Sequence, residues 1–229
     1  MIRPSHLMAL LALTACAGAQ ESFSMQREAM VREQIEARGV KDPRVLDALR
    51  RVPRERFVAA GSESLAYTDS PLAIGHGQTI SQPYIVGVMS EAAAIGADDV
   101  VLEIGTGSAY QAAVLGELAR EVYTIEIVPA LAQRAEALLR ELGYRNVHTR
   151  LGDGYAGWPE HAPYDAIVVT AAPPAVPETL RQQLAVGGRL VVPVGTADQE
   201  LIVIERTADG FREHRLMPVR FVPMVPGPK

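Results

Sequence analysis

Short apolar runs alternate with amphipathic stretches along the chain from residue 100 onward. The apolar runs end at glycine or polar residues, as buried parallel strands do, and they predict strands at 100–104, 122–125, 147–151 and 166–170. The stretches between them predict helices at 109–118, 130–142 and 177–184. This alternation implies right-handed crossovers, and therefore an open, mostly parallel α/β sheet with helices on both faces.

Three apolar segments near the C-terminus have no helix between them. They predict strands at 190–194, 200–205 and 216–222. Short turns such as Ala208-Asp209-Gly210 connect these segments. Consecutive strands joined in this way predict an antiparallel edge added to the parallel sheet.

The residues before the first strand predict a helical cover. An amphipathic helix is expected at 25–38, and a second at 45–50 with Asp42 as its N-cap and Pro43 at its first position. A third helix, at 83–94, is apolar enough to be buried on most sides. We expect these helices to cover the carboxyl end of the sheet.

The stretch from Gly75 to Val86 has a high density of glycine and small polar side chains, which predicts an ordered loop. The loop carries two hydroxyl side chains, Thr79 and Ser81, and it precedes the third helix. We expect it to lie with the N-terminal helices over the carboxyl end of the sheet.

Composition and charge exclude several classes of protein. The chain has 229 residues, 48% of them hydrophobic, which suits one domain or at most two with a sizeable core. The net charge is −5 without a run of like charges, which argues against a nucleic-acid binder. A single cysteine, Cys16, excludes an intrachain disulfide or a cysteine-based zinc cluster, and the five histidines show no metal-ligand spacing.

The first 24 residues are treated apart from a single domain at 25–229. Their apolar run is too short for a transmembrane helix and is typical of a secretory signal. The sequence from Leu13 to Cys16 resembles a bacterial lipobox, whereas Ala17-Gly18-Ala19 suits ordinary signal cleavage. Translation from Met25 or Met30 is a third interpretation, and all three remain open.

A glycine-rich turn, Gly105-Thr106-Gly107-Ser108, follows the first strand of the alternating region. Such a turn lets a ligand approach backbone N–H groups. Glu126 lies 21 positions after Gly105, where a carboxylate accepts hydrogen bonds from the ribose of an adenosine cofactor. Tyr110 occupies the place of the third glycine of the dinucleotide fingerprint, which disfavours NAD.

The order Glu103-x-Gly-x-Gly is typical of enzymes that use S-adenosyl-L-methionine, in which the turn meets the amino-acid part of the cofactor. After the third strand comes Gly152-Asp153-Gly154. Asp153 is expected beside the adenine, where it would accept a hydrogen bond from the exocyclic amine.

Several segments between residues 25 and 224 carry a closer resemblance. They are 51–58 (RVPRERFV), 77–84 (GQTISQPY), 101–108 (VLEIGTGS), 152–154 (GDG), 164–172 (YDAIVVTAA), 193–195 (PVG) with Gln199, and 219–223 (VRFVP). Together they resemble the protein-L-isoaspartate O-methyltransferase family, and the QTISQP segment is the most specific of them. The resemblance implies a Rossmann-like methyltransferase fold dependent on S-adenosyl-L-methionine.

What the resemblance implies chemically is methyl esterification of the free carboxylate of L-isoaspartyl and D-aspartyl residues in damaged proteins. The ester then closes to a succinimide, which starts repair. Ser81 is the catalytic hydroxyl implied by the resemblance. The implied cofactor contacts are Gln78, Thr79, Ile80, Ser81, Glu103, Gly105, Thr106, Gly107, Ser108, Ala109, Glu126, Ile127, Asp153, Gly154 and Gln199.

This chemistry needs no general base, because a carboxylate of ordinary pKa is already ionised at neutral pH. The enzyme must align the carboxylate with the methyl group and partly remove its water. Ser81 suits an orienting donor, while Thr79 could equally brace the loop. His76, a lone loop histidine, is expected to face solvent.

Two positions depart from the family pattern. Ala109 stands where glycine is usual, and Ala73 stands where proline is usual. Alanine favours a helical first turn, yet a positive φ at Ala109 would weaken cofactor binding. Ala73 should only loosen the start of the loop.

Damaged proteins are the expected partners, nucleic acid is not, and a monomer is expected. The cytoplasm is favoured because S-adenosyl-L-methionine is made there; a periplasmic or membrane-anchored lipoprotein would require use of Cys16. Two other functions stay open: a methyltransferase of the same fold acting on another carboxyl or small molecule, and an exported binding protein without turnover.

Overall fold

The computed structural model describes residues 22–227, so most of the signal-like segment lies outside the described part. The helices are α1 (22–29), α2 (Pro43–Arg51), α3 (Pro83–Ala93), α4 (Tyr110–Gly116), α5 (Pro129–Glu141) and α6 (Glu178–Gln182). The strands are β1 (Leu72–Gly75), β2 (Gln78–Ile80), β3 (Val100–Ile104), β4 (Glu121–Glu126), β5 (Val147–Leu151), β6 (Tyr164–Val169), β7 (Leu184–Gly195), β8 (Gln199–Thr207) and β9 (Gly210–Val219).

Seven strands form the main sheet, in the order β5-β4-β3-β6-β7-β8-β9. The pairs from β5 to β7 are parallel, and β7-β8 and β8-β9 are antiparallel. The predicted parallel sheet with an antiparallel edge is therefore confirmed. The hairpin turn between Thr207 and Gly210 also lies where it was predicted.

Helices lie on both faces of the sheet, but unevenly. Alternate residues of β3 point to opposite faces, so Val101 packs in one hydrophobic cluster and Leu102 in the other. The cluster with Val101 is covered by α2 to α5, and the cluster with Leu102 by the short α6 and by Met224. This asymmetry leaves the C-terminal segment to close part of the second face.

The prediction of a helix at 177–184 was wrong at its C-terminal end. Helix α6 ends at Gln182, and Leu184 already begins β7, where it pairs with Tyr164. Gly188 lies within β7, where a Cβ would stand 2.7 Å from the Asp165 carbonyl oxygen. The glycine therefore allows close approach of two strands. The last strand ends at Val219, so the prediction of strand at 220–222 was also wrong.

The helical cover has the predicted caps. Asp42 accepts a hydrogen bond from the amide of Arg44 at 2.8 Å, with Pro43 at the first position of α2. The helix predicted at 25–38 is divided into α1, a π-helical turn at Met30–Ile35 and a 3₁₀ turn at Glu36–Arg38. Within residues 22–227, no helix combines the length and the apolar character needed to cross a membrane.

The stretch predicted as a loop contains a hairpin, β1-β2, whose turn is formed by His76 and Gly77. Both turn residues have positive φ, 54° and 71°, as a tight two-residue hairpin requires. The buried side chains of Ile74 and Ile80 anchor the hairpin in the core. The prediction of an ordered loop did not include these two strands, because a histidine at positive φ is not a common hairpin signal.

Candidate active site

The glycine-rich turn lies directly after β3, at the carboxyl end of the sheet. Gly105 has φ +96°, and a Cβ at this position would stand 2.4 Å from Thr170 Oγ1. The Thr170 hydroxyl donates to the Gly105 carbonyl at 2.6 Å and thereby ties the turn to the end of β6. Only glycine tolerates both the positive φ and the close approach of Thr170 at this position.

Glu126 holds the turn from the neighbouring strand. Its Oε2 accepts the amide of Gly107 at 2.7 Å, and its Oε1 accepts the amides of Ile127 and Val128, each at 2.9 Å. A carboxylate offers about four acceptor sites, so these three bonds leave roughly one, on Oε2, for a ligand hydroxyl. Glu126 is therefore a brace for the turn as well as a candidate ribose contact.

A cleft, which we call the donor cleft, opens at this point. Its walls come from the turn, the end of β4, the hairpin, the end of β6 and the C-terminal segment. The lining residues are Gln78, Thr79, Ile104, Gly105, Gly107, Ile125, Glu126, Ile127, Val128, Gly154, Thr170, Ala171 and 222–225. Seven of the predicted cofactor contacts therefore line one cleft: Gln78, Thr79, Gly105, Gly107, Glu126, Ile127 and Gly154.

Glu103 lies behind this cleft and does not line it. Its side chain is fully buried and accepts a hydrogen bond from the Thr124 hydroxyl, which in turn lies 2.6 Å from the hydroxyl of Thr106 in the turn. Loss of hydration and then the neighbouring Glu126 charge raise the pKa of Glu103 to about 8, while the Thr124 hydrogen bond opposes the shift. The second carboxyl oxygen of Glu103 has no partner within residues 22–227.

Asp153 and Gln199 hold the C-terminal segment rather than the donor cleft. Asp153 accepts the amides of Tyr155 and Gly227, each at 2.8 Å. Gln199 accepts the amide of Phe221 at 2.6 Å and donates to the carbonyl of the same residue at 3.1 Å. Neither side chain is among the residues that line the donor cleft, so the expected contacts of Asp153 and Gln199 with the cofactor stay predictions.

Ala109 adopts φ +70° and precedes the first residue of α4 instead of belonging to it. The expectation that its helix propensity suits the position was therefore wrong, because the residue is outside the helix. Ala109 is fully buried, and Ser108 accepts the amide of Tyr110 at 3.2 Å beside it. The backbone here has the conformation that favours glycine.

A second cleft, the acceptor cleft, adjoins the first. It is lined by Arg38, Pro71, Thr79, Ser81, Gln82, Tyr84, Ile85, Thr170 and 217–222. Three residues, Thr79, Thr170 and Val222, line both clefts. The clefts therefore meet beside the hairpin, and Ser81 lies on the acceptor side of the junction.

The acceptor cleft has an unusual charge balance. Its lining contains two arginines, Arg38 and Arg220, and no aspartate, glutamate or histidine. Arg38 pairs with Asp69 at 2.7 Å and stacks on Tyr84, with its Cζ 3.5 Å from the ring centroid. The cleft suits an anionic group and offers no side chain that would act as a general base. His76 is exposed on the far turn of the hairpin, outside both linings.

Thr170, Val222 and Arg220 are site residues that the sequence motifs did not identify as such. Thr170 was recognised only as the end of a strand, and Val222 only as part of a family motif. A signal for Thr170 was available, because it is a polar residue at the carboxyl end of β6 and the carboxyl ends of neighbouring parallel strands meet at one edge of the sheet. Nothing local to Val222 indicated that the C-terminal segment returns to this edge.

The comparisons with known proteins agree over most of the chain. The model of the family described as protein-L-isoaspartate(D-aspartate) O-methyltransferase (PCMT) matches residues 25–229. A protein-L-isoaspartate O-methyltransferase of Gloeobacter violaceus is 61% identical over 197 residues, which are 85% of this chain and 96% of that protein. The corresponding protein of Synechococcus sp. (strain JA-2-3B'a(2-13)) is 57% identical over 215 residues, 90% of this chain and 88% of the other.

Solved structures show the same architecture. A protein-L-isoaspartate O-methyltransferase superposes with a TM-score of 0.79 at 31% identity, covering 86% of this chain and 65% of that one. A Plasmodium falciparum candidate of the same type, solved with S-adenosyl-L-homocysteine, gives a TM-score of 0.76 at 23% identity over 87% of this chain and 98% of that one. The resemblance of the sequence motifs is thereby confirmed, and the chain belongs to the protein-L-isoaspartate(D-aspartate) O-methyltransferase family of enzymes.

Proposed function

We propose that the donor cleft holds S-adenosyl-L-methionine and that the acceptor cleft holds the isoaspartyl segment of a damaged protein. The methyl group passes where the two clefts meet, beside Thr79, Thr170 and Val222. One observation carries this assignment: the cleft beside the glycine-rich turn shares lining residues with a cleft that contains arginines and no acidic side chain.

The donor cleft fits an adenosine-containing group by its chemistry. The Gly105 position has no room for a side chain, so a ligand can approach the backbone of the turn closely. Glu126 retains one acceptor site for a ribose hydroxyl after its three amide bonds. When bound, S-adenosyl-L-methionine supplies a methyl group on a positively charged sulfur.

The acceptor cleft suits a carboxylate that is already ionised. Absence of acidic side chains from its lining avoids repulsion, and Arg220 attracts the anion, whereas the charge of Arg38 is already paired with Asp69 behind the lining. The Ser81 hydroxyl, which makes no hydrogen bond to residues 22–227, is available to donate to one carboxylate oxygen. A neutral donor orients the carboxylate while leaving most of its charge for attack.

Methyl transfer to the ionised carboxylate neither consumes nor releases a proton. One carboxylate oxygen forms a bond to the methyl carbon as the carbon–sulfur bond breaks, and the electron pair stays on sulfur. The apolar side chains of Ile85, Val222 and Phe221 line the acceptor cleft and remove water from the reacting carboxylate. In the resulting ester, the backbone nitrogen of the following residue attacks the ester carbonyl; the methoxy group leaves with the amide proton as methanol, and the ring closes to a succinimide.

Methyl transfer to paired peptides tests the proposal. One peptide carries an L-isoaspartyl residue, and its twin of identical sequence carries ordinary aspartate. With radiolabelled S-adenosyl-L-methionine, we expect label on the isoaspartyl peptide alone. Equal labelling of both peptides, or labelling of a small carboxylic acid but not of either peptide, would assign the acceptor cleft to another substrate.

We further propose that the domain at 25–229 acts as a monomer in the cytoplasm, where the methyl donor is made. Intact mass of the native protein from its source cells tests the location. A chain that begins at Cys16 and carries acyl groups would place the enzyme on a membrane instead. Light scattering across a concentration series tests the oligomeric state.

A further inference from the structure

Arg54 is one of the largest fully buried side chains of the described part, with 0% exposure. Its Nε donates to the Ala66 carbonyl at 2.7 Å, and its Nη2 donates to the Ser81 carbonyl at 2.7 Å. Within residues 22–227, no carboxylate forms an ion pair with it, and Nη1 has no hydrogen-bond partner. The cation is therefore held by two backbone carbonyls from separate segments.

Burial of a cation without an acidic partner is costly, and burial lowers the pKa of Arg54. The face of the Tyr110 ring, whose centroid lies 4.7 Å from Cζ, offsets part of this cost. An apolar side chain would fill the same space more cheaply, but it could not bond two carbonyls at once. The rigid fork of arginine sets the separation between the two segments that it bridges.

Two contacts of Arg54 lead to the active site: the hydrogen bond to the Ser81 carbonyl and the packing on the Tyr110 ring. The carbonyl of Ser81 belongs to the residue whose side chain lines the acceptor cleft. Tyr110 is the first residue of α4, directly after the glycine-rich turn of the donor cleft. Arg54 therefore lies behind both clefts. It contacts the Ser81 backbone at the acceptor cleft and Tyr110, at the start of the helix that follows the turn of the donor cleft.

We propose that Arg54 is a positioning residue for methyl transfer, which fixes the Ser81 backbone so that its hydroxyl meets the substrate carboxylate. The proposal rests on the role proposed for Ser81. Arg54 does not touch the substrate, and it acts only through the residue that it holds. Its loss should therefore impair turnover of the isoaspartyl peptide much more than binding of the cofactor product.

Arg54→Lys is the direct test, because lysine keeps the charge but lacks the fork that reaches both carbonyls. We expect kcat/KM for the isoaspartyl peptide to fall about 10–100-fold, since small misplacements of reacting groups have effects of this size. The Kd for S-adenosyl-L-homocysteine, measured by calorimetry, should stay within about threefold of the wild-type value. Arg56→Lys is the matched control, because Arg56 is exposed and its Nη2 pairs with Glu141 at 2.5 Å, away from both clefts.

A double-mutant cycle separates positioning from general support of the fold. If Arg54 acts through the Ser81 hydroxyl, Arg54→Lys should cause little further loss of kcat in a Ser81→Ala background. Fully additive losses would overturn the proposal. A normal rate for Arg54→Lys beside a slow Ser81→Ala would overturn it while leaving the role of Ser81 intact. A normal rate for Ser81→Ala would instead remove that role, and the positioning proposal with it.

A measurement on the wild-type enzyme covers the case in which Arg54 variants do not fold. In protein labelled with ¹⁵N-arginine, the Arg54 side-chain signals should shift when the isoaspartyl peptide binds, because the peptide contacts the residue that Arg54 holds. The Arg56 signals should not move. Unchanged Arg54 signals at saturating peptide would contradict the proposal.

Discussion

Glu126 Oε2 accepts the amide of Gly107 at 2.7 Å, so a residue at the end of one strand fixes the turn that follows another. Replacing Glu126 with glutamine puts an NH₂ group where one of the accepting oxygens now lies. At least one backbone amide then loses its acceptor in a nearly buried site. We expect Glu126→Gln to weaken S-adenosyl-L-homocysteine binding about 10–100-fold and to lower the free energy of unfolding by about 1–3 kcal/mol.

Glu121→Gln is the matched control for this substitution, because Glu121 begins the strand that Glu126 ends. Its carboxylate is partly exposed and bonds the exposed His148 at 2.8 Å. Calorimetry and urea unfolding should show it close to wild type. Equal effects from both variants would mean that the Glu126 effect is a general charge effect and not support of the turn.

Ala109 is strained by its φ of +70°, and glycine should relieve that strain. A non-glycine residue in this region costs roughly 1–2 kcal/mol, of which the greater freedom of unfolded glycine returns about 0.4–1 kcal/mol. We therefore expect Ala109→Gly to raise the unfolding free energy by about 0.5–1 kcal/mol and Tm by about 1–4 °C. Thermal unfolding checks the stability, and calorimetry checks the affinity for S-adenosyl-L-homocysteine, which should increase.

Ala94 provides the comparison for this change. It has φ +51° at the exposed C-terminus of α3, outside the linings of both clefts. Ala94→Gly should raise stability by a similar amount and leave cofactor affinity unchanged. If Ala109→Gly lowered stability, the alanine methyl would be supplying packing that outweighs the backbone strain.

The parallel sheet and its antiparallel edge were predictable because each strand is a short apolar run that ends at glycine or a polar residue. The donor cleft was largely predictable as well, since Gly105, Gly107 and Glu126 have a spacing that follows from strand and helix lengths. The residues at the junction of the clefts were harder. Val222 is held at the site by contacts that are distant in sequence: Gln199 fixes Phe221, 22 residues further on, and the amide of Ala172 donates to the Val222 carbonyl at 2.8 Å.

Arg54 marks another limit of prediction from sequence. It lies in a charged segment, and its neighbour Arg56 is a surface residue with an ordinary ion pair. The sequence pattern does not distinguish the two, because the burial of Arg54 depends on carbonyls from Ala66 and Ser81. Such contacts are set by tertiary packing and leave no local signal.

Glu103 should make stability depend on pH. Its pKa in the folded protein is about 8, above its ordinary value of 4.5, so folding favours the protonated form. This contribution to stability is complete below pH 4.5 and is lost as pH rises through 8. Relative to Glu103→Gln, the wild type should lose up to about 1.4 kcal/mol per pH unit between pH 6 and 8.

Urea unfolding at intervals from pH 6 to 9 measures both proteins under the same conditions. The difference between them is the informative quantity, because other titrating groups cancel in it. We expect the difference to level off above pH 8. A difference that stays constant across the range would mean that Glu103 is ionised throughout and that its buried oxygen is stabilised in another way.

Ser81 should affect turnover and not cofactor binding. Removing its hydroxyl removes one hydrogen bond to a charged oxygen, worth about 1.5–3 kcal/mol, so Ser81→Ala should lower kcat/KM for the isoaspartyl peptide roughly 10–100-fold. Affinity for S-adenosyl-L-homocysteine should stay within about threefold, because Ser81 lines only the acceptor cleft. Thr79→Val should change both quantities, because Thr79 lines both clefts.

Ser70→Ala is the control for Ser81→Ala, since Ser70 precedes the hairpin and its hydroxyl lies 3.1 Å from the exposed Thr68 hydroxyl. It lines neither cleft and should behave as wild type. Steady-state rates with varied peptide, together with calorimetry of the cofactor product, distinguish the roles. If Ser81→Ala weakened cofactor binding strongly while kcat at saturation stayed normal, Ser81 would belong to the donor cleft and not to the carboxylate.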